Sequence, residues 1–326
     1  VATLIGCPTN SAGYCERRLL RIVHLSDIHF WQYVINPLRL LGKRAVGMTS
    51  LVLGRARRFR LERVPELVDR VNGLGADHIL ITGDLTTTAL PAEFRRARAA
   101  LADLLADPGR VTIVPGNHDR YTLYAHRSRR FERYFGEFAP EPSFPWLRGL
   151  GPGTAILGLD PTRAGITASG KLSLIQLARA QEIIATASPI DRLMIACHYP
   201  SAVPSDLEHE YAHKHLVNRA TLAGWLRTIG PHIYCCGHLH TAWAFRPGDI
   251  PNQLSLNAGA PLMRDRTGLN PPGFLEIALE GPSVVVQHHA WTPAGWQVRV
   301  LYESASFFAP GKHLTVGIDP VSAGPP

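Results

Sequence analysis

The sequence predicts a layered α/β fold, two β-sheets packed face to face as a sandwich and flanked by helices. Three observations lead there. Short apolar runs rich in Val, Ile and Leu alternate with amphipathic helical segments through residues 19–236. Beyond residue 240 the helical pattern stops, and short β-type runs separated by Gly and Pro take over. The chain has 326 residues, 45% of them hydrophobic and 18% charged, enough to bury a core without help from disulfides or a structural metal.

Taken in order, residues 19–26 read as a strand that ends at Asp27. Residues 63–74 read as a helix, with Pro65 suited to its first turn and Gly73 and Gly75 ending it. Residues 76–82 form a buried-strand run ending at Gly83-Asp84. Residues 90–105 place Phe94, Ala97, Leu101, Leu104 and Leu105 on one helical face behind Pro91. A strand at 111–114 leads into Pro115-Gly116-Asn117-His118-Asp119. Strands at 154–159, 193–196 and 232–236 are separated by helices at 172–187 and 216–229. The late runs at 254–257, 274–279, 283–289 and 296–302 are expected to be antiparallel and to finish the second half of the sandwich. A Gly- and Pro-rich tail, 309–326, is expected to drape over a single domain spanning 1–326.

Several classes are excluded on composition. No apolar run reaches the ~18–20 residues of a membrane-spanning helix. The first twenty residues lack a cationic segment followed by a continuous apolar one, so no secretory signal is expected. Cys7, Cys15, Cys197, Cys235 and Cys236 are odd in number and include no C-x-x-C, which argues for reduced thiols in a cytoplasmic protein rather than a disulfide framework or structural zinc.

The chemistry-bearing residues fall at strand ends. In order they are Asp27-Ile28-His29, Gly83-Asp84, Gly116-Asn117-His118-Asp119, His198 and Gly237-His238-Leu239-His240. Open α/β sheets build their sites where loops leave the carboxyl ends of strands. Carboxylates, imidazoles and one amide gathered there suit hard-to-borderline divalent metals, and no thiolate selects a soft ion. Each fragment alone is ordinary: Gly-Asp is commonly a tight turn, and a lone His198 commonly a hydrogen-bonded core residue. The ordered series carries the reading. His24, His78 and His232 lie before or within strands and read as structural. His209, His213 and His215 cluster in a polar insertion that is either an exposed loop or the mouth of the cleft. His288 and His289 are neighbours on a strand, facing opposite ways, and form no chelate.

The series resembles the calcineurin-like metallophosphoesterases, whose motif order is D-x-H, GD, GNH[DE], H, GHxH. All five blocks stand without substitution between Asp27 and His240. The resemblance implies a two-sheet sandwich flanked by helices and a dinuclear metal centre. It implies that Asp27, His29 and His240 bind one metal, that Asn117, His198 and His238 bind the second, and that Asp84 bridges them. His118 would stand beside the substrate phosphate, oriented by Asp119. The metals would be Mn, Fe or Zn. Such a set answers the chemistry, because a phosphodiester is anionic and repels hydroxide, while two metals neutralise its oxygens and supply an activated water for in-line attack.

The net charge of +8 is concentrated. Arg39, Lys43, Arg44, Arg55, Arg57, Arg58 and Arg60 supply seven of those charges in one stretch without a carboxylate. Within an insertion at 36–62, Leu38, Leu41, Ala45, Met48 and Val52 form an apolar stripe at three- and four-residue spacing. A cationic amphipathic element beside the site would bind an anionic membrane surface or a lipid-bearing phosphate substrate, with Lys43 and Arg44 as candidate substrate-binding residues. Its bland counterpart is a helix packed on the body with a solvated basic face. Aromatic residues are too sparse there for base stacking, which disfavours nucleic acid. Leu41-Gly42-Lys43-Arg44-x-x-Gly47, together with residues 82–89 and Glu93-Phe94, resembles a bacterial subgroup that includes the chlamydial UDP-2,3-diacylglucosamine hydrolase. The expectation is therefore a hydrolase of phosphodiester or pyrophosphate bonds, in its most concrete form acting on a lipid-linked nucleotide, peripheral on the cytoplasmic face of the inner membrane. A cyclic-nucleotide or broad-specificity phosphodiesterase, a phosphomonoesterase and a non-catalytic scaffold of the same fold are the alternatives.

Overall fold

Both faces of the central strands are apolar, so each strand must be covered twice. In the computed structural model, which describes residues 19–33, 49, 56–164, 167–187, 189–212, 214–265 and 270–308, this sorts side chains into three layers. Strand β1 (Leu20–Leu25) sends Ile22 to one layer and Val23 and Leu25 to another, and β2 (His78–Ile81) divides Leu80 from Ile81 in the same way. Further along, β6 (Arg192–Ala196) divides Met194 and Ala196 from Leu193 and Ile195. In β7 (His232–Cys236), Ile233 and Cys235 part from Tyr234 and Cys236. The layer shared by all four strands is the core between two sheets; the other two lie under the flanking helices.

The first sheet runs β12-β11-β10-β1-β2-β3, with β3 at Val111–Ile113, β10 at Gly273–Glu280, β11 at Ser283–Thr292 and β12 at Gly295–Ser304. Its β1, β2 and β3 are parallel, and β10, β11 and β12 are antiparallel. The second sheet runs β4-β5-β6-β7-β9-β8, with β4 at Trp146–Gly151, β5 at Thr154–Gly158, β8 at Ala242–Phe245 and β9 at Gln253–Ala258. Strands β5, β6, β7 and β9 are parallel.

This corrects the expectation for the late strands. The runs at 274–279, 283–289 and 296–302 are antiparallel, but they complete the first sheet by pairing β10 with β1. The run at 254–257 belongs to the second sheet and is parallel to β7. Two edge strands, β4 and β8, escaped the sequence reading: Gly149 and Gly151 dilute the strand pattern of one, and the other is four residues long.

Helices α1 (Val64–Asn72) and α2 (Pro91–Ala100) cover the first sheet with Val64, Leu67, Val68, Val71, Phe94 and Ala97. Two short helices, α3 (Leu123–Arg127) and α4 (Arg130–Phe135), follow β3. The second sheet is covered by α5 (Leu174–Thr186), capped by the Ser173 hydroxyl on Gln176 N at 3.1 Å, then by the single turn α6 (Glu208–Tyr211) and α7 (Arg219–Leu226). Cys197, Cys235 and Cys236 are buried and reduced. Among the described residues no helix is long and apolar enough to cross a membrane. Most of the 36–62 insertion, including Lys43 and Arg44, and all of the 309–326 tail lie outside the described residues.

Candidate metal centre

The loops that leave β1, β2, β3, β6 and β7 meet at one edge of the sandwich and are laced by backbone hydrogen bonds. Asp27 N donates to Gly83 O (3.0 Å), His29 N to Asp84 O (3.0 Å), Val114 N to Ile81 O (3.0 Å) and Gly237 N to His198 O (3.0 Å). Holding the loops this close requires unusual backbone. Seven described non-glycine residues have positive φ, and five of them are Asp27, His29, Asp84, His238 and His240. Each such residue costs ~1–3 kcal/mol, a cost that persists only where the surroundings over-determine the conformation. Close approach sets the glycines as well: a Cβ at Gly116 would collide with the Asp84 carboxylate, and one at Gly237 with Ser26 Oγ and Asp27 Oδ2.

Asp27, His29, Asp84, Asn117, His118, Asp119, His198, His238 and His240 all arrive at this edge. One group centres on Asp27. Its Oδ2 accepts from His238 N (2.9 Å), while Oδ1 is buried without a hydrogen bond among the described residues. That orphan oxygen lies 3.3 Å from His240 Nε2 and 3.6 Å from His29 Nε2, and the two imidazole nitrogens are 3.1 Å apart. The second group centres on His198. Its Nδ1–H donates to Thr82 O (2.7 Å), which turns the Nε2 lone pair toward Asn117 Oδ1 (3.2 Å) and His238 Nδ1 (3.2 Å). The other nitrogen of His238, Nε2–H, donates to Lys214 O (2.9 Å). Two lone pairs and an amide oxygen thus face one another, an arrangement that repels itself unless a cation or proton sits among them. Asp84 lies between the groups, Oδ2 being 3.7 Å from His29 Nε2 and 3.4 Å from His198 Nε2. The donor set, all oxygen and imidazole nitrogen with second partners fixing the tautomers, fits two borderline divalent ions.

Protonation preferences express the same demand for positive charge. Burial would push the Asp27 carboxyl up, yet His240 and His29 hold it well below the usual carboxylate range. Asp84 is likewise held low against burial by His198 and His118. Burial pushes His198 down, but Asp84 more than reverses this and its pKa stands at about 9. His238, buried and beside His198, drops to about 3.

The Asp119 carboxylate braces the loops, accepting from Thr86 N (2.9 Å), Thr86 Oγ1 (3.0 Å), Gly116 N (3.0 Å) and Leu85 N (3.4 Å). The ring of His118 is held by Thr87 O, 2.6 Å from Nδ1, and stacks on Tyr121. Thr87 was missed because a backbone carbonyl has no sequence signature. The role of Glu93 went unread too, because Leu90 stands where a capping-box Ser or Thr would signal it. Its buried carboxylate accepts from Thr88 N (2.9 Å), Thr88 Oγ1 (2.9 Å) and Leu90 N (3.0 Å), securing the loop that carries Thr87. His24 and His78 are the structural residues expected, each bonded to a threonine hydroxyl. His209 is exposed and His215 half-buried; His213 lies outside the described residues.

Paired nests of oxygen and nitrogen donors, bridged by one carboxylate at a sheet edge, define a class of site built for two metal ions. The chain belongs to the calcineurin-like phosphoesterase family, whose profile matches residues 20–242. A curated relative, a cAMP/cGMP dual specificity phosphodiesterase from Mycobacterium tuberculosis, is 29% identical over 182 residues, covering 55% of this chain and 54% of its own length. The chain thus spans about half the length of that relative. Among solved structures, a dimetal phosphatase from Danio rerio superposes with a TM-score of 0.55 at 13% identity, over 87% of this chain and 99% of that one. A purple acid phosphatase from yellow lupin (Lupinus luteus) gives a TM-score of 0.58 at 11% identity, over 87% of this chain and 53% of that one. At these identities the likeness concerns the fold.

Proposed function

We propose that the protein is a dinuclear metal-dependent hydrolase of phosphodiester or pyrophosphate bonds. The observation that carries this reading is the mutual approach of metal-ligating atoms: His29 to His240 at 3.1 Å beside the orphaned Asp27 Oδ1, and His198 to His238 at 3.2 Å beside Asn117. Asp27, His29 and His240 would hold one ion, Asn117, His198 and His238 the other, and Asp84 would bridge them. When bound, two such ions neutralise phosphoryl oxygens and lower the pKa of water to the neutral range. The chain's own residues supply the rest. His118 keeps its Nδ1–H on Thr87 O, so in the imidazolium form its Nε2–H is the proton offered to the departing oxygen, and the carbonyl stabilises the cation. Asp119 braces the 84–87 loop against the 116–119 loop and thereby sets where His118 stands.

Cyclic nucleotides form the second reading, favoured by the mycobacterial phosphodiesterase relative. The lipid-linked version draws support from exposed apolar side chains. Of nine large hydrophobic side chains exposed among the described residues, six (Tyr33, Leu123, Tyr124, Leu174, Ile175 and Val217) lie in connections that leave the carboxyl ends of β1, β3, β5 and β6. A cytoplasmic setting accords with the three reduced, buried cysteines.

The test is to demetallate the purified protein, restore Mn, and compare kcat/KM for bis(p-nitrophenyl) phosphate with that for p-nitrophenyl phosphate. The expected result is metal-dependent turnover that favours the diester. A monoester preference would reassign the protein as a phosphatase, and no metal-dependent turnover of either would break the reading. The lipid-linked version adds co-sedimentation with anionic phospholipid vesicles, and a protein left wholly in the supernatant would remove it.

A further inference from the structure

Next to the first cluster of donors the chain builds a cleft of about 460 Å³ whose walls include Trp31, Arg57, Phe59, Arg60, Arg96 and Arg264. Phe59 joins the two places. Its ring lies 4.7 Å from that of His29 and 6.0 Å from that of His240, so the cleft begins one aromatic ring away from the metal cluster. Segments distant in sequence are pinned together to make it. Phe59 forms a β-bridge with Met263, Arg60 N donates to Leu262 O (2.8 Å), and Arg264 N donates to Arg58 O (2.6 Å). From α2, Arg96 reaches across to Trp31 O (3.2 Å).

Four arginines and one carboxylate, Glu62, stand in this lining, and the Arg60 guanidinium also lies over the Trp291 ring, 5.4 Å from its centroid. Among the described residues Arg57, Arg60 and Arg264 make no ion pair. Arginines clustered around a single carboxylate favour a multiply charged oxyanion, which accepts several charge-assisted hydrogen bonds at once. Arginine forks match phosphate, while the half-buried Trp31 offers apolar contact to whatever carries it.

We propose that this cleft is the subsite for a second phosphate of the substrate, set apart from the reacting phosphoryl group by the thickness of the Phe59 ring. The preferred substrate is then a phosphodiester or pyrophosphate ester that carries a further phosphate beyond the scissile bond. This rests on the hydrolase reading above and adds to it the charge that substrate selection requires.

The test uses two esters that share a leaving group and a nucleoside: thymidine 5′-(p-nitrophenyl phosphate) and its 3′-phosphorylated form. With the Mn-restored wild type, the 3′-phosphorylated ester is expected to show a kcat/KM about tenfold higher, through KM, as befits one or two charge-assisted hydrogen bonds. In the Arg57→Ala/Arg264→Ala double variant the two esters are expected to converge, and Arg57→Lys/Arg264→Lys is expected to restore part of the gap. Equal values for the two esters in the wild type would overturn the subsite, as would a gap that survives in the alanine variant. If the wild type turns over neither ester, the hydrolase reading is what fails. The subsite is then decided by isothermal titration of the same protein with thymidine 3′,5′-bisphosphate and thymidine 5′-phosphate. Tighter binding of the bisphosphate, lost in the alanine variant, supports it, and equal affinities overturn it. A cleft that serves free inorganic phosphate instead would show phosphate altering turnover of the singly charged ester in the wild type but not in the alanine variant, and this too would overturn a substrate subsite.

Discussion

Histidines stand at both ends of the sandwich, and the two ends treat them oppositely. Where β2 and β7 begin, His78 meets the Thr112 hydroxyl at 2.8 Å, and His232 donates from Nδ1 to Gly230 O at 2.9 Å with its Nε2 against the Gln253 side-chain amide at 3.3 Å, a group that can turn its NH₂ to that nitrogen. Burial pushes these two down to about 3 and about 4, so they stay neutral and each is matched by a polar partner. At the carboxyl ends of the strands, imidazole nitrogens face one another and two carboxylates instead. Buried histidines that find complementary partners are structural; those that face groups of like polarity leave a demand for a cation. Glycines divide the same way. Gly75, at φ +59° on the far edge, has open space around its Cα, whereas Gly116 is fixed by the carboxylate pressed against it.

The largest effect should come from substituting one buried polar residue at each end. Asp84→Ala is expected to lower kcat/KM by at least about 10³-fold, because several kcal/mol of transition-state stabilisation depend on paired ions. Bound metal, measured by plasma mass spectrometry, should fall with it. His78→Gln, which keeps a group able to bond the Thr112 hydroxyl, should leave turnover within about twofold and cost about 1 kcal/mol in urea unfolding. Full metal content in Asp84→Ala would end the distinction between the two edges.

A smaller effect separates the glycines. Gly116→Ala should displace Asp84 and cost about 10²-fold in kcat, the usual consequence of misplacing a reacting constellation by about 1 Å. Gly75→Ala meets no atom and should cost only the left-handed strain of ~1–2 kcal/mol in stability, with kcat unchanged. Equal kinetic losses in the two variants would mean that Gly116 matters for folding rather than for the site.

How much of this was legible depended on whether a feature is written in side chains. The parallel strands and the ordered series from Asp27 to His240 were readable because apolar runs and polar strand ends recur in register with the fold. The direction of β9 was not, since parallel and antiparallel strands of buried residues have the same composition. The hold on His118 was not, because it is the Thr87 carbonyl. Nor was the arginine cleft, whose walls come from residues near 31, 57–60, 96 and 264, brought together by the Phe59–Met263 bridge and by hydrogen bonds between distant segments. Nor were the backbone amides that the Asp119 carboxylate accepts across the loop, since backbone donors leave no mark in the sequence.

The smallest effect belongs to Glu93, a buried carboxyl on the metal edge whose partners are amides and one hydroxyl rather than imidazoles. Burial outweighs those hydrogen bonds and raises its pKa to about 7 from an ordinary 4.5. Between those values the folded protein keeps a proton that the unfolded chain releases. Stability contributed by this group is therefore full below the unfolded pKa and declines as pH rises through the folded one, by at most about 3 kcal/mol. Glu93→Gln removes the titration while retaining an oxygen for Thr88 N and Leu90 N and an NH₂ for the Thr88 hydroxyl. The Tm of wild type minus that of Glu93→Gln should accordingly rise as pH is lowered from 8 to 5, whatever other groups do in both proteins. A difference flat with pH would mean that Glu93 is ionised throughout. The amides of Thr88 and Leu90 would then outweigh burial, and the loop carrying Thr87 would be held by a full charge.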